Sequence, residues 1–279
     1  MPLRRVTPPA RMESEVIVCV PARSEALRLQ TALPRTTIVR WARTNSELEA
    51  MFRAAGDRLR MVVVAPRDTD DAPTSPMVRQ LRGHRPHVAW VGYCRAANAH
   101  SRDIIALASA GIHEIVFLDV SDWGIALQQT LSQAVQACGA TLAFDRLSVF
   151  VPRTLHPLIE YCLYFPQLAT SVPRVAAALG VHRKTLVNYS SRFGLPSPSV
   201  LIAWCRLIIA AHLLESRGGS VERVALALEY PSATALRNTL RRYARHRPAE
   251  LREGGMDLMV TRFAQILADS AGPEARRAS

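Results

Sequence analysis

One nine-residue phrase, S-V-x-R-V-A-x-A-L, occurs twice in this chain, as Ser171–Leu179 and forty-nine residues later as Ser220–Leu228. Each copy opens on a serine, a preferred N-cap because its hydroxyl accepts an amide that the first turn leaves without a partner. The Val, Ala and Leu that follow recur at helical spacing. Pro173 fits the first turn of the first copy, where an amide would be idle. Gly180 stands where a left-handed residue ends a helix. After each phrase come a short turn and a polar, basic helix, Arg183–Phe193 in the first copy and Ala233–Arg245 in the second. A short helix, a tight turn and a polar second helix form a helix-turn-helix. The chain therefore spells that pattern twice. Between the copies, Ser197–Glu215 reads as an apolar helix with Leu201, Ile202, Trp204, Leu207, Ile208, Ala211 and Leu214, able to pack against both and fix their separation.

Charge follows the same division. Residues 171–252 hold 13 basic and 4 acidic side chains, a net of +9, whereas residues 1–150 hold 18 and 14, a net of +4. Most of the formal +12 thus lies where the short helices are, the electrostatic footprint expected of a phosphate-binding module. Arginine supplies all the basic residues except Lys184. Because arginine dominates both halves equally, its excess marks neither.

The first half alternates short β-branched runs with helical stretches. The runs are Val16–Val20, Thr37–Trp41, Met61–Ala65, Val88–Gly92 and Glu114–Leu118. The helical stretches are Ser24–Leu33, Ser46–Ala55, Pro76–Leu81, Ser101–Ala110 and Asp122–Cys138. Such alternation predicts βαβ units around a parallel sheet buried on both faces, a (βα)5 doubly wound domain. The fold class is α/β plus all-α. The expected organisation is a flexible tail over 1–14, the (βα)5 domain over 15–140, a linker over 141–153 with a short strand at Thr141–Phe144, a helical domain over 154–253, and a C-terminal helix with a polar tail over 254–279. Leu155–Tyr164 and Met256–Leu267 read as further helices of the second half.

Residues of about 155–252 resemble the DNA-binding domain of AraC-type transcription regulators. The resemblance rests on V-A-A-A-L-G-V (175–181), G-L-P-S-P (194–198), R-L-I-I-A-A-H-L-L (206–214), S-V-E-R-V-A-L-A-L (220–228), R-R-Y (241–243) and R-P-A-E-L-R (247–252). It implies two helix-turn-helix pairs flanking a long connecting helix. Each second helix would enter the major groove of duplex DNA, the two roughly 34 Å apart. Candidate DNA-contacting residues are Arg183, Lys184, Thr185, Asn188, Tyr189 and Arg192 in the first pair, and Ser232, Thr234, Arg237, Asn238 and Arg241 in the second. Leu186, Leu236 and Leu240 are expected in the core. Two positions depart from the family: Glu229-Tyr230 stands where Gly-Phe is usual, and Arg245 where a glycine precedes the final proline.

The first half resembles a response-regulator receiver domain, helped by A-S-A-G-I-H-E-I-V-F-L (108–118). Receiver chemistry needs acids after strand one, an aspartate after strand three and a lysine after strand five. Here those places hold Val20-Pro21-Ala22, Ala65-Pro66 and Asp119, and the single lysine is Lys184. The resemblance thus implies a pseudo-receiver that senses or dimerises without phosphate, with Trp123, Ile125, Leu127 and Leu131 as a candidate pairing face. Asp68, Asp70 and Asp71 are the alternative, as displaced acids.

Other chemistries find no support. Cys19, Cys94, Cys138, Cys162 and Cys205 lie among apolar neighbours with no C-x-x-C spacing, reading as buried reduced thiols. His84-x-x-His87 sits beside Pro86 without further ligands. No glycine-rich phosphate loop or G-x-S-x-G elbow occurs. No catalytic residue, metal or cofactor is expected. No run of about eighteen apolar residues suggests a membrane span, and the Pro- and Arg-rich first twelve residues do not read as a secretory signal. The reading is a cytoplasmic transcription regulator, not an enzyme, whose partners are double-stranded DNA, a second copy of the chain and RNA polymerase. The rival is an adaptor whose helix-turn-helix domain has lost specific DNA binding.

Overall fold

A computed structural model of the protein describes residues 14–95, 101–118, 120, 121, 123–217, 220–251 and 254–270. The expected tail, Ser14 excepted, therefore lies outside the described residues, as do Asp119 and the polar end 271–279. The chain divides into two compact units, Met1–His84 with Trp90–Thr130, and Arg85–Ala89 with Leu131–Ser279.

The N-terminal unit is built on strands β1 (Ser14–Cys19), β2 (Thr37–Ala42), β3 (Leu59–Val64), β4 (Ala89–Cys94) and β5 (Glu114–Phe117). Helices α1 (Arg23–Ala32), α2 (Asn45–Ala54), α3 (Ser75–Arg82), α4 (Ser101–Ala110) and the start of α5 (Gly124–Leu147) alternate with them, and from Leu131 onward α5 belongs to the second unit. The sheet order is β2-β1-β3-β4-β5, and β1 runs parallel to both its neighbours, as β4 does to β5. That is the doubly wound order whose switch point lies between the first and third strands. Val16 through Val20 and Met61 through Val64 are buried along their whole length. Burial on both faces explains why these strands read as continuous apolar runs instead of an alternation. Phe52 packs on Trp90 at 5.6 Å between ring centres.

One partly buried polar contact in this unit carries a pH dependence. His113 accepts the Trp90 amide at Nδ1, 2.9 Å away. Burial, and then the nearby Arg82 guanidinium, push its pKa down to about 4. An unfolded chain binds this proton near pH 6.5, so stability from the neutral ring is complete above that value and lost as pH falls through about 4. The expected loss is roughly 3 kcal/mol, read as a falling denaturant midpoint between pH 7 and 4. His113→Asn, which keeps an acceptor for the Trp90 amide, should flatten that part of the profile. An identical profile in the variant would contradict the assignment.

The region expected as a linker is mostly helical. α5 continues to Leu147, so Thr141–Phe144 forms no strand, and two single 3-10 turns, Ser148–Phe150 and Arg153–Leu155, follow. Ala140, Ala143 and Leu147 recur at helical spacing and are fully buried, which outweighs the interruption that Gly139 suggests in the sequence.

The C-terminal unit contains α6 (His156–Tyr164), α7 (Val172–Ala178), α8 (Arg183–Arg192), α9 (Pro198–Arg217), α10 (Val221–Ala227), α11 (Ala233–Ala244) and α12 (Gly255–Ser270). α9 is its axis, with Leu201, Leu207, Ile208, Ala211 and Leu214 fully buried. Residues Pro198–Glu215 are long and apolar enough to cross a membrane by length and composition, and most of them are covered by the unit's other helices. Both helix pairs pack on α9, as the sequence reading required. So does α12, which that reading kept apart from the helical domain. Trp204 of α9 stacks on Phe263 of α12, 5.4 Å between centres and 6° between planes, so α12 is part of this core. Gly139 of α5 approaches α9 so closely that a Cβ there would lie 2.5 Å from the His212 ring. His212, itself buried, is held to the Val135 carbonyl at 2.8 Å.

Candidate nucleic-acid interface

The two helix pairs share one local design. Ser171 Oγ accepts the Arg174 amide and Ser220 Oγ accepts the Arg223 amide, so both first helices carry the expected caps. Both end the same way: the Val181 amide donates to the Ala176 carbonyl, and the Tyr230 amide to the Ala225 carbonyl. In this terminus one residue must take the left-handed conformation. Gly180 does so at φ 65°, and Glu229 at φ 52°. The second turn is one residue longer, since the caps of the second helices, His182 and Ser232, lie fifty residues apart. From those caps Leu186 and Leu236 fall in register and are buried, and Leu240 is buried too.

Glu229 and Arg245 (φ 56°, the left-handed C-cap of α11) are the two departures from the family pattern. A side chain at such a φ costs about 1–2 kcal/mol, which glycine avoids. Glu229→Gly and Arg245→Gly are each expected to stabilise the C-terminal unit by about 1 kcal/mol. Denaturant midpoints check this, and a fall in midpoint for both would show that the side chains compensate the strain. Tyr230 carries out a further task at the same turn. The Arg206 guanidinium lies 4.2 Å from its ring centre, while Arg206 Nη2 donates to the Leu228 carbonyl at 2.6 Å. An arginine of α9 thereby closes the end of α10.

The outer faces of α8 and α11 hold the candidate contacts. Arg183, Lys184, Asn188 and Arg192 are exposed on α8, while Thr185 and Tyr189 are partly buried. Tyr189 packs at the edge of the core. On the second pair Ser232, Thr234, Asn238 and Arg241 are exposed. Asn188 and Asn238 stand at the same place, six residues beyond their caps. The Ser232 hydroxyl is engaged as the cap, accepting the Ala235 amide at 3.1 Å. Arg237 is half-buried and paired with Glu222 of α10 at 2.7 Å. Glu222 is held below the usual carboxylate range, first by a backbone amide and then by Arg237. Sequence reasoning missed Arg242, exposed on α11 against the Tyr243 ring, and Arg206, whose apolar helix masked it. It also missed Val187, 46% exposed on the outer face of α8.

At the carboxyl edge of the N-terminal sheet, two of the three loop acids, Asp68 and Asp71, have side-chain partners, and Asp70 is exposed. Asp68 is buried, and its carboxylate accepts the amides of Asn45, Asp70 and Ala72 at 2.8–3.0 Å. Arg67 pairs with Asp103 at 2.9 Å and Asp71 at 3.3 Å. Thr74, fully buried, donates to the Ala65 carbonyl. The candidate pairing face also divides: Trp123 and Ile125 are 65% and 73% exposed, whereas Leu127 and Leu131 are core. All five cysteines are buried free thiols, and burial pushes Cys19 and Cys162 up to about 12. Among the described residues, no three His, Cys, Asp or Glu are grouped to hold a metal ion.

A family model described as a helix-turn-helix domain matches residues 175–254, from within α7 to the residue before α12. No curated protein matches the sequence. Solved structures similar to the chain include a response regulator from Thermotoga maritima, at 18% identity over 44% of this chain and 97% of that one, TM-score 0.36. A response regulator protein from Burkholderia pseudomallei, with a phosphorylated aspartic acid, calcium ion and citrate, is 18% identical over 62% and 96%, TM-score 0.35. Full-length FixJ from B. japonicum is 9% identical over 84% and 98%, TM-score 0.36. The C-terminal unit carries a helix-turn-helix domain over residues 175–254. The N-terminal unit has a five-stranded sheet in the doubly wound order β2-β1-β3-β4-β5.

Proposed function

We propose that this chain is a sequence-specific, cytoplasmic transcription regulator that lays α8 and α11 in successive major grooves of duplex DNA. The observation that carries the reading is the matched pair of second helices, each anchored by a buried leucine and each turning polar and basic side chains outward. Arg183 suits guanine O6 and N7, and Asn188 and Asn238 suit adenine N6 and N7, by their donor and acceptor patterns. Lys184, Arg192 and Arg241 are assigned to phosphates, which position the protein without reading sequence. Thr185, Tyr189 and Thr234 border these faces. Ser232 is assigned to its backbone cap, and Arg237 contributes through a side chain that Glu222 already orients.

The N-terminal unit, in this reading, works without phosphorylation. Ala65-Pro66 ends the third strand, and Asp68 spends its carboxylate on three backbone amides. It dimerises the regulator through the exposed Trp123 and Ile125.

The test is titration of the full chain against duplexes enriched from a random library, as a function of salt. Specific affinity should fall about 10³–10⁵-fold between 50 and 200 mM salt if six to ten phosphates are engaged. Failure to enrich any sequence at low salt would overturn the reading in favour of an adaptor.

A further inference from the structure

A cavity of about 330 Å³ opens between α9 and α11, beside the turn that precedes α11. Arg206 and Arg242 line it together with Asn238, Ser199, Tyr230 and Thr239, whose hydroxyl is donated to the Ala235 carbonyl at 2.8 Å. No carboxylate lines it among the described residues. The Arg206 Nε–H is shielded from solvent and has no acceptor among the described residues, although Nη2 of the same side chain is engaged by the Leu228 carbonyl. A guanidinium offers donors only, and leaving one of them unmet where water is excluded is costly. Two positive charges beside polar side chains, with no carboxylate among them, describe a seat for an oxyanion with several acceptor oxygens.

We propose that this cavity is a phosphate-binding site, with Arg206 as its fixed donor and Arg242 as its outer clamp. Tyr230 holds the Arg206 plane from below, so the guanidinium stays oriented whether or not an anion is present. Arg242 is exposed, with its guanidinium against Tyr243, and closes on the anion from the solvent side. The phosphate comes from the backbone of bound duplex or from a free phosphorylated small molecule. The first source rests on the regulator reading, and the second does not.

Two assays on the full chain decide the matter, with Arg242→Gln and Ser199→Glu as variants. The second variant sets a carboxylate on the rim at an exposed position early in α9. In the first assay, thermal unfolding is followed in inorganic phosphate and in chloride of equal ionic strength. Phosphate should raise the wild-type midpoint by about 2–4 °C more than that of either variant, which subtracts its general salting effect. In the second, the salt dependence of binding to an enriched duplex is measured, and Arg242→Gln should reduce the log–log slope by about 1. A difference in unfolding alone assigns the site to a free anion. A reduced slope, with or without that difference, assigns it to a DNA phosphate. If neither assay separates the variants from wild type, the proposal is overturned. Should wild type bind no duplex at all, the regulator reading fails, and the unfolding assay alone decides the site.

Discussion

A chain ended at Gly254, where the helix-turn-helix match stops, is expected to lose the folded C-terminal unit. Removing α12 takes Met256, Met259, Val260, Phe263 and Leu267 out of the core, all of them buried. Each is worth about 1.5–3 kcal/mol when buried, or roughly 10 kcal/mol together. That is comparable to the whole stability of an ordinary domain. The loss concentrates on Trp204, whose indole would give up the parallel face of Phe263 and keep only the edge contact to Tyr243 at 6.4 Å. The cooperative transition of the C-terminal unit should disappear in the shortened chain and persist when the chain ends after Ser270, while the N-terminal unit unfolds as before. The milder change Phe263→Ala should cost about 3–5 kcal/mol by the same reasoning. If the C-terminal unit of the chain ended at Gly254 still unfolds cooperatively with an unchanged midpoint, followed by the fluorescence of Trp204, α12 is not part of the core.

Arg183→Ala is expected to weaken binding to the enriched duplex by about 5- to 150-fold, the range for one bidentate base contact. Arg183 is exposed, and no ion pair engages it among the described residues. Arg237→Ala should cost less, because Glu222 already holds that guanidinium at 2.7 Å and any DNA contact must compete with the pair. Releasing the pair by Glu222→Gln should then tighten binding and steepen its salt dependence, as one acidic charge leaves the interface. Competition assays with the enriched duplex and a scrambled one measure all three. A larger loss for Arg237→Ala than for Arg183→Ala would reverse the roles assigned to the two helices.

Much of this architecture was legible in the residues. The (βα)5 alternation gave the sheet because strands buried on both faces leave uninterrupted apolar runs. The repeated serine-led phrase gave both helix pairs because caps and buried leucines are local signals. The misreadings come from tertiary context. The helix read over Asp122–Cys138 runs on through Gly139, inside α5, where the missing Cβ admits the His212 ring. Met256–Leu267 looked like an appendage, because nothing local to that segment announces Phe263 stacking on a tryptophan some sixty residues earlier. At the candidate interface the sequence marked polar residues on the second helices but not their engagements. Arg237 is tied to Glu222, and Ser232 serves its own helix. Arg206 and Arg242, the two cations of the cavity, come from separate helices and meet only in the fold. The two departures, Glu229 and Arg245, were visible as departures; that both sit at left-handed backbone is a property of the folded turns.

The central claim, that two helices of one chain read one face of a duplex, is tested most directly by chemical footprinting of the full chain on its enriched duplex. Two protected major-groove patches should lie on the same face, about 10–10.5 base pairs from centre to centre. Arg183→Ala should erase one of them, and Asn238→Ala should weaken the other. A single patch lost in both variants, or no protection where the chain is bound, would contradict the account.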